Sequence, residues 1–68
     1  MKPMTAREVE AHLKRNGFRN VKVNGSHYKW AHPVSGRWTI VPHHKNKTIP
    51  QGTLKAIFAQ SGLTPPER

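Results

Sequence analysis

An Asn-Gly pair near the middle of the chain constrains the fold more than any other feature of this sequence. Residues 20–24 (NVKVN) alternate polar and apolar side chains, which is the period of a half-buried β-strand. Asn24-Gly25 follows directly and is the strongest short signal for a β-hairpin. We therefore expect a second strand over residues 26–32 and, after the turn-forming segment 33–36, a third over residues 37–41.

Helix signals flank these strands on both sides. Thr5 and Glu8 are spaced as a capping box, so a first helix is expected to begin at residue 6 and to run to about residue 15. Gly17 can then adopt the left-handed conformation that ends a helix, with Phe18 packing back on Leu13.

A second helix is expected over residues 50–61, with Pro50 at its first position and Gly62 as its stop. The resulting order is α-β-β-β-α, an α+β fold with a three-stranded antiparallel sheet and both helices on one face. We expect a single domain over residues 1–68, ordered from about 4 to 63, with residues 64–68 as a flexible tail.

Charge is the second strong constraint. The chain of 68 residues has 12 Lys and Arg against three acids, a net charge of +9, and no cysteine. A generic basic surface would explain this composition, but so strong a charge on so small a chain favours contact with nucleic acid. The cations are spread over every segment, which disfavours membrane binding. With no signal peptide and no apolar span in the sequence, we expect a cytoplasmic protein.

Strand alternation predicts which side chains meet the helices. The residues expected in the core are Val21, Val23, Tyr28, Trp30, Trp38 and Ile40. The aromatic residues could instead stack on nucleobases, but their period with valine and isoleucine favours burial. The opposite, outward face would then carry His27 among three cations, Lys22, Lys29 and Arg37. A one-residue change of register would invert this assignment.

The loop after the third strand holds a second basic cluster, with His43, His44, Lys45 and Lys47. We interpret it as a phosphate-binding loop leading into the start of the second helix. A metal site is disfavoured because the sequence has no cysteine, no nearby acid and no helical His-x-x-x-His pair. We assign no function to His12, for which Glu8 is a sufficient partner.

A set of short elements follows in a fixed order along nearly the whole chain: Gly25-Ser26-His27, Trp30, His32-Pro33, Gly36-Arg37, Thr39-Ile40-Val41-Pro42-His43, Pro50, Gly52-Thr53-Leu54 and Gly62-Leu63. This ordered set resembles the HicA family of toxins. A modest departure is Gln51, between the proline and the glycine.

The resemblance implies a double-stranded-RNA-binding-domain-like fold, mRNA interferase activity with His27 as the catalytic residue, and a HicB-type antitoxin as protein partner. No metal or small-molecule cofactor is expected. Together with the basic face and loop, it gives a set of expected RNA-contacting residues: Lys22, Gly25, Ser26, Lys29, Arg37, His43, His44, Lys45 and Lys47.

Chemistry supports the nuclease interpretation without requiring it. RNA carries its own nucleophile, the 2′-hydroxyl, so an enzyme needs only a general base such as His27 and cations that stabilise the phosphorane. Two alternatives remain open at this point. The same face could belong to a non-catalytic RNA-binding module, or it could dock an acidic protein partner.

Overall fold

The computed structural model describes residues 1–44 and 46–66, within which the chain forms two helices and three strands. In chain order these are helix α1 (Ala6–Arg15), strands β1 (Arg19–Asn24), β2 (His27–Ala31) and β3 (Trp38–Pro42), and helix α2 (Gln51–Ser61). The α-β-β-β-α order and the antiparallel three-stranded sheet are confirmed. Pro50 is the N-cap of α2 rather than its first helical residue.

Local capping interactions define helix α1 as predicted. The backbone N–H of Glu8 donates to Oγ1 of Thr5, and the backbone N–H of Thr5 donates to the Glu8 carboxylate at 2.8 Å. At the other end, Phe18 N–H donates to the Leu13 carbonyl and Gly17 N–H to the Lys14 carbonyl, the paired bonds of a Schellman motif. All of these contacts lie within a few residues of each other along the chain.

The hairpin between β1 and β2 has a two-residue turn, but the turn lies one residue later than the predicted Asn24-Gly25 pair, and β2 begins at His27 rather than at residue 26. Asn24 pairs with His27, so Gly25 and Ser26 alone form the turn. Gly25 has a φ of 60° and Ser26 does not have a positive φ, which is the combination of a type II′ turn. Asn24 is therefore the last residue of its strand, and His27 is the first residue of the next one.

Both helices cover one face of the sheet, which we call the inner face; the opposite face is the outer face. Helices α1 and α2 pack mainly on β3. The core between the layers consists of Met4, Ala6, Val9, Leu13, Phe18, Trp30, Val41, Ile49, Leu54, Ile57 and Phe58. Thr64 is the first residue of the predicted flexible tail, and it contacts helix α1: its carbonyl oxygen lies 3.0 Å from Nε2 of His12.

The predicted faces of strand β3 are wrong. Trp38 is 52% exposed on the outer face, with Ile40 beside it, whereas Thr39 and Val41 are fully buried under the helices. The register explains the inversion, because buried Trp30 pairs with Thr39 and cross-strand partners share a face. The Thr39 hydroxyl reaches an acceptor there, Oε1 of Gln60 at 2.7 Å.

The predicted burial of Val21 and Val23 is also wrong, since both are more than half exposed. Strand β1 lies at the edge of the sheet, beyond the cover of helices that pack on β3. The register also shifts between Asn20 and Lys22, which places Val21 in a bulge. The bulge breaks the simple alternation that the sequence pattern assumed.

Candidate active site

Strand pairing places His27 on the outer face together with two lysines. His27 lies opposite Asn24, and Lys29 lies opposite Lys22, so all four side chains share this face. The His27 side chain is exposed, as predicted. An open groove of about 540 Å³ runs along these residues; we call it the outer groove. It is lined by Lys22, Asn24, His27, Lys29, Trp38 and Ile40.

The electrostatics of the outer groove favour an anion. Lys22 and Lys29 are direct cross-strand partners, and like charges in that arrangement destabilise a sheet. Neither described carboxylate lines the groove, since Glu8 caps helix α1 and Glu10 bonds to residues on the helix side. A bound phosphate would relieve this repulsion.

Trp38 forms one wall of the groove. Nζ of Lys29 lies 4.5 Å from the centroid of the indole, within the range of a cation–π contact. Ile40 follows on the same strand face, and both side chains also line a second groove against helix α2. The indole therefore forms a ridge between a cationic groove and an apolar one.

Arg37 does not join this face, contrary to the sequence prediction. Its Nη1 donates to the carbonyl of Gln60 at 3.4 Å, and its guanidinium lies against Gly62 at the end of helix α2. A Cβ built on Gly62 would lie 3.0 Å from the guanidinium carbon. Arg37 thus provides positive charge near an end of α2 rather than in the outer groove.

His43 lies on the side of the sheet opposite His27. Its ring stacks on Tyr28 with the centroids 4.6 Å apart, and its Nδ1 lies 2.9 Å from Oε1 of Glu10. The other carboxylate oxygen of Glu10 accepts a 3.1 Å hydrogen bond from Nε1 of Trp30. The expectation that no acid lies near the histidine cluster is therefore wrong.

The rest of the loop is arranged differently from the prediction. His43 and His44 lie beside the first residues of helix α1, where they line a small pocket with Thr5, rather than at the start of α2. His44 and Lys47 are exposed, and Lys45 lies outside the described residues. Among residues 1–44 and 46–66, no cluster of three or more His, Cys, Asp or Glu side chains could hold a metal ion.

Gly25 and Ser26 set the position of the catalytic candidate rather than lining the groove. They form the turn, and the Ser26 carbonyl accepts a 2.6 Å hydrogen bond from the backbone N–H of His43. The bond ties the hairpin to the end of β3, next to the pairing of His27 with Pro42. His27 is therefore held on backbone that is bonded on both sides.

Sequence reasoning did not consider Glu10, and it assigned Trp38 to the core. Glu10 had a readable signal, since Ala6, Glu10 and Leu13 follow the i, i+4, i+7 spacing of the buried helix stripe. A carboxylate on such a stripe needs a partner inside the fold. Trp38 had no local signal, because an apolar residue in an alternating strand indicates burial.

One protein-family model matches most of the chain. It is described as HicA toxin of bacterial toxin-antitoxin, and it matches residues 6–63, from the first residue of α1 to the residue after Gly62, the C-cap of α2. The chain belongs to the HicA toxin family. A search of curated proteins found no match. The match covers both helices and all three strands, so it includes the whole outer groove.

Membership defines the chain as the toxin of a toxin-antitoxin pair, which implies a partner protein that acts as antitoxin. Within the described residues, neither helix is long and apolar enough to cross a membrane.

Proposed function

We propose that this HicA-family toxin is a metal-independent mRNA endoribonuclease that uses His27 as general base. The observation that carries the proposal is the exposed imidazole of His27 on a paired strand, on the same face as the facing lysines Lys22 and Lys29. Histidine titrates near neutrality and is the side chain best suited to move a proton there. The two ammonium groups supply the charge that a scissile phosphate needs.

The reaction requires one proton to leave the RNA and one to enter it. His27 removes the proton of a 2′-hydroxyl, whose oxygen attacks the neighbouring phosphorus. The bond from phosphorus to the 5′-oxygen breaks, and that oxygen takes up a proton. The products are a 2′,3′-cyclic phosphate, or the monophosphate formed from it by hydrolysis, and a 5′-hydroxyl. Lys22 and Lys29 stabilise the additional negative charge of the phosphorane.

The second proton comes from a donor other than His43. That ring stacks on Tyr28 and bonds to Glu10 on the helix side of the sheet. Donors compatible with the groove are protonated His27 itself, after it has taken the 2′ proton, a lysine, or water.

The partner antitoxin is proposed to be of the HicB type and to inhibit by covering the outer groove. Family membership supports a protein partner, and a protein that presents carboxylates to Lys22 and Lys29 would compete directly with RNA phosphates.

Cleavage of a defined single-stranded RNA, followed by sequencing and end analysis of the products, tests the proposal. The parent protein should cleave in the presence of EDTA and leave a 5′-hydroxyl. His27→Ala should abolish cleavage while reducing RNA affinity only slightly. His12→Gln, which changes a histidine outside the groove, should retain cleavage. Binding without cleavage by the parent would instead identify a non-catalytic RNA-binding module.

A further inference from the structure

Trp38 is the one exposed large aromatic side chain in the described part of the chain. This residue is 52% exposed, whereas Trp30 is 8% exposed and both phenylalanines are buried. Leaving so large an apolar ring in water forgoes the stabilisation that burial would provide. A tryptophan in this position is better explained by a ligand than by the stability of the sheet.

We propose that Trp38 is a stacking platform for a nucleobase of the bound RNA. Proteins that bind single-stranded nucleic acid combine cations that follow the phosphates with aromatic rings on which bases stack. The outer groove has both parts, with Lys22 and Lys29 supplying charge and Trp38 the ring. This inference rests on the proposed function, because it requires the groove to take RNA.

The separation of Trp38 from His27 along the sheet indicates which nucleotide of the RNA the indole contacts. Trp38 pairs with Ala31, four residues beyond His27 on β2, which corresponds to about 13 Å at the usual rise of a strand. Trp38 therefore starts from the end of the outer groove farther from His27, although its ring reaches back as far as Nζ of Lys29. It contacts a base that flanks the cleaved linkage, on the side toward β2's C-terminal end.

Stacking on Trp38 also defines the class of RNA. A base inside a duplex is already stacked on its neighbours, so only an unpaired base can be splayed onto a protein ring. The substrate is accordingly a single-stranded segment or a loop, and a paired segment of the same sequence is excluded from this subsite.

Lys29 does not block the ring. At an exposed ring such as Trp38 a cation–π contact is weaker than base stacking, so a base can replace the ammonium over the indole. The displaced Nζ then becomes available to a phosphate of the same strand, which couples base stacking to phosphate binding.

Charge favours RNA over protein as the occupant of this ring. The residues around the indole in the outer groove are cationic or neutral, and neither described carboxylate lies among them. A nucleotide satisfies the ring and the lysines together, because it carries a base and a phosphate on one unit.

The test measures binding of single-stranded oligonucleotides by fluorescence anisotropy. Oligodeoxynucleotides lack the 2′-hydroxyl and so cannot be cleaved by the proposed mechanism, which isolates binding from catalysis. Trp38→Ala should weaken binding between about 5-fold and about 150-fold, and Trp38→Phe should retain much of the affinity. Val34→Ala, at an exposed apolar residue outside the outer groove, is the matched control and should bind as the parent does.

An abasic site moved stepwise along the oligonucleotide provides the sharper result. At one position the missing base should weaken binding to the parent and have no further effect on Trp38→Ala. Equal affinity of Trp38→Ala and Val34→Ala would overturn the inference and leave the ring to a protein contact. Circular dichroism of each variant separates loss of stacking from loss of fold.

Failure of this inference and failure of the proposed function give different results. If Trp38→Ala weakens binding but the parent cleaves no RNA, the stacking site stands and the nuclease does not. If the parent cleaves through His27 and Trp38→Ala binds and cleaves normally, the nuclease stands and the stacking site does not.

Discussion

Oε1 of Glu10 lies 2.9 Å from Nδ1 of His43, and this contact fastens the loop after β3 to helix α1. A carboxylate oxygen can only accept, so Nδ1 of the histidine carries the proton. The same carboxylate accepts from Nε1 of buried Trp30. One acidic side chain thus connects helix, sheet and loop, and it keeps His43 on the side of the sheet away from His27.

Replacing Glu10 with alanine should destabilise the fold. The indole N–H of Trp30 would lose its acceptor in a site where Glu10 is only 12% exposed, and leaving a buried donor unsatisfied costs about 1–3 kcal/mol. Glu10→Gln keeps an oxygen for one of the two donors and should lose less. Urea unfolding followed by tryptophan fluorescence measures both, and equal stability of the two variants would contradict the assigned network.

The capping box makes part of the stability of helix α1 depend on pH. The backbone N–H of Thr5, which donates to the Glu8 carboxylate, holds the pKa of Glu8 below its ordinary value of 4.5. A lowered folded pKa stabilises the fold above the ordinary value, and this contribution is lost as the pH falls through the lowered one. Glu8→Gln, whose side chain does not titrate, should therefore be less stable than the parent at neutral pH, and the two stabilities should converge in acid.

Unfolding of the parent and Glu8→Gln across that range measures the difference directly. Because the other acidic groups are common to both proteins, their titration cancels in the comparison. A difference in the free energy of unfolding that stays constant, or that widens on acidification, would refute the stabilising role of the Glu8 carboxylate.

Two glycine-to-alanine substitutions should have opposite effects. Gly17 has a φ of 90°, and a Cβ there would lie 2.8 Å from Nε2 of His32, so Gly17→Ala should cost about 1–3 kcal/mol. Gly52 lies in the first turn of α2 with nothing within 4 Å of an added Cβ. Gly52→Ala should stabilise by about 0.4–1 kcal/mol through the unfolded chain. Thermal unfolding of both variants tests the pair.

The facing lysines should be visible in the salt dependence of RNA binding. Removing either Lys22 or Lys29 should weaken binding to all sequences alike and lower the slope of log affinity against log salt by about 1. Lys55→Ala removes the same charge from the exposed side of helix α2, outside the groove, and should change the slope less. Identical slopes for Lys29→Ala and Lys55→Ala would argue against phosphate contact in the groove.

Much of the candidate site could be read from local sequence. The Asn24-Gly25 signal predicts a hairpin whose second strand contains His27, although the turn itself lies one residue later, and alternation from buried Trp30 then leaves His27 and Lys29 outward. These relations involve residues only a few positions apart, for which the backbone itself sets the geometry. Arg37 and His43 could not be placed in this way, because their positions depend on Gln60 and Glu10, which are distant in the chain.

By itself, the sequence determined the elements of this protein. The capping box and the Schellman glycine delimit α1, and the two-residue turn of Gly25 and Ser26 closes the hairpin, all through interactions between near neighbours. Only the tertiary structure decided which face of β3 meets the helices. Trp30 pairs with Thr39, and a shift of one residue across the β2–β3 connection would have buried Trp38 instead. Successive side chains of a strand point to opposite faces, so a shift of one residue in register exchanges the buried set with the exposed set. Which set of β3 side chains is buried therefore depends on the register with β2 and not on the hydrophobicity of the strand.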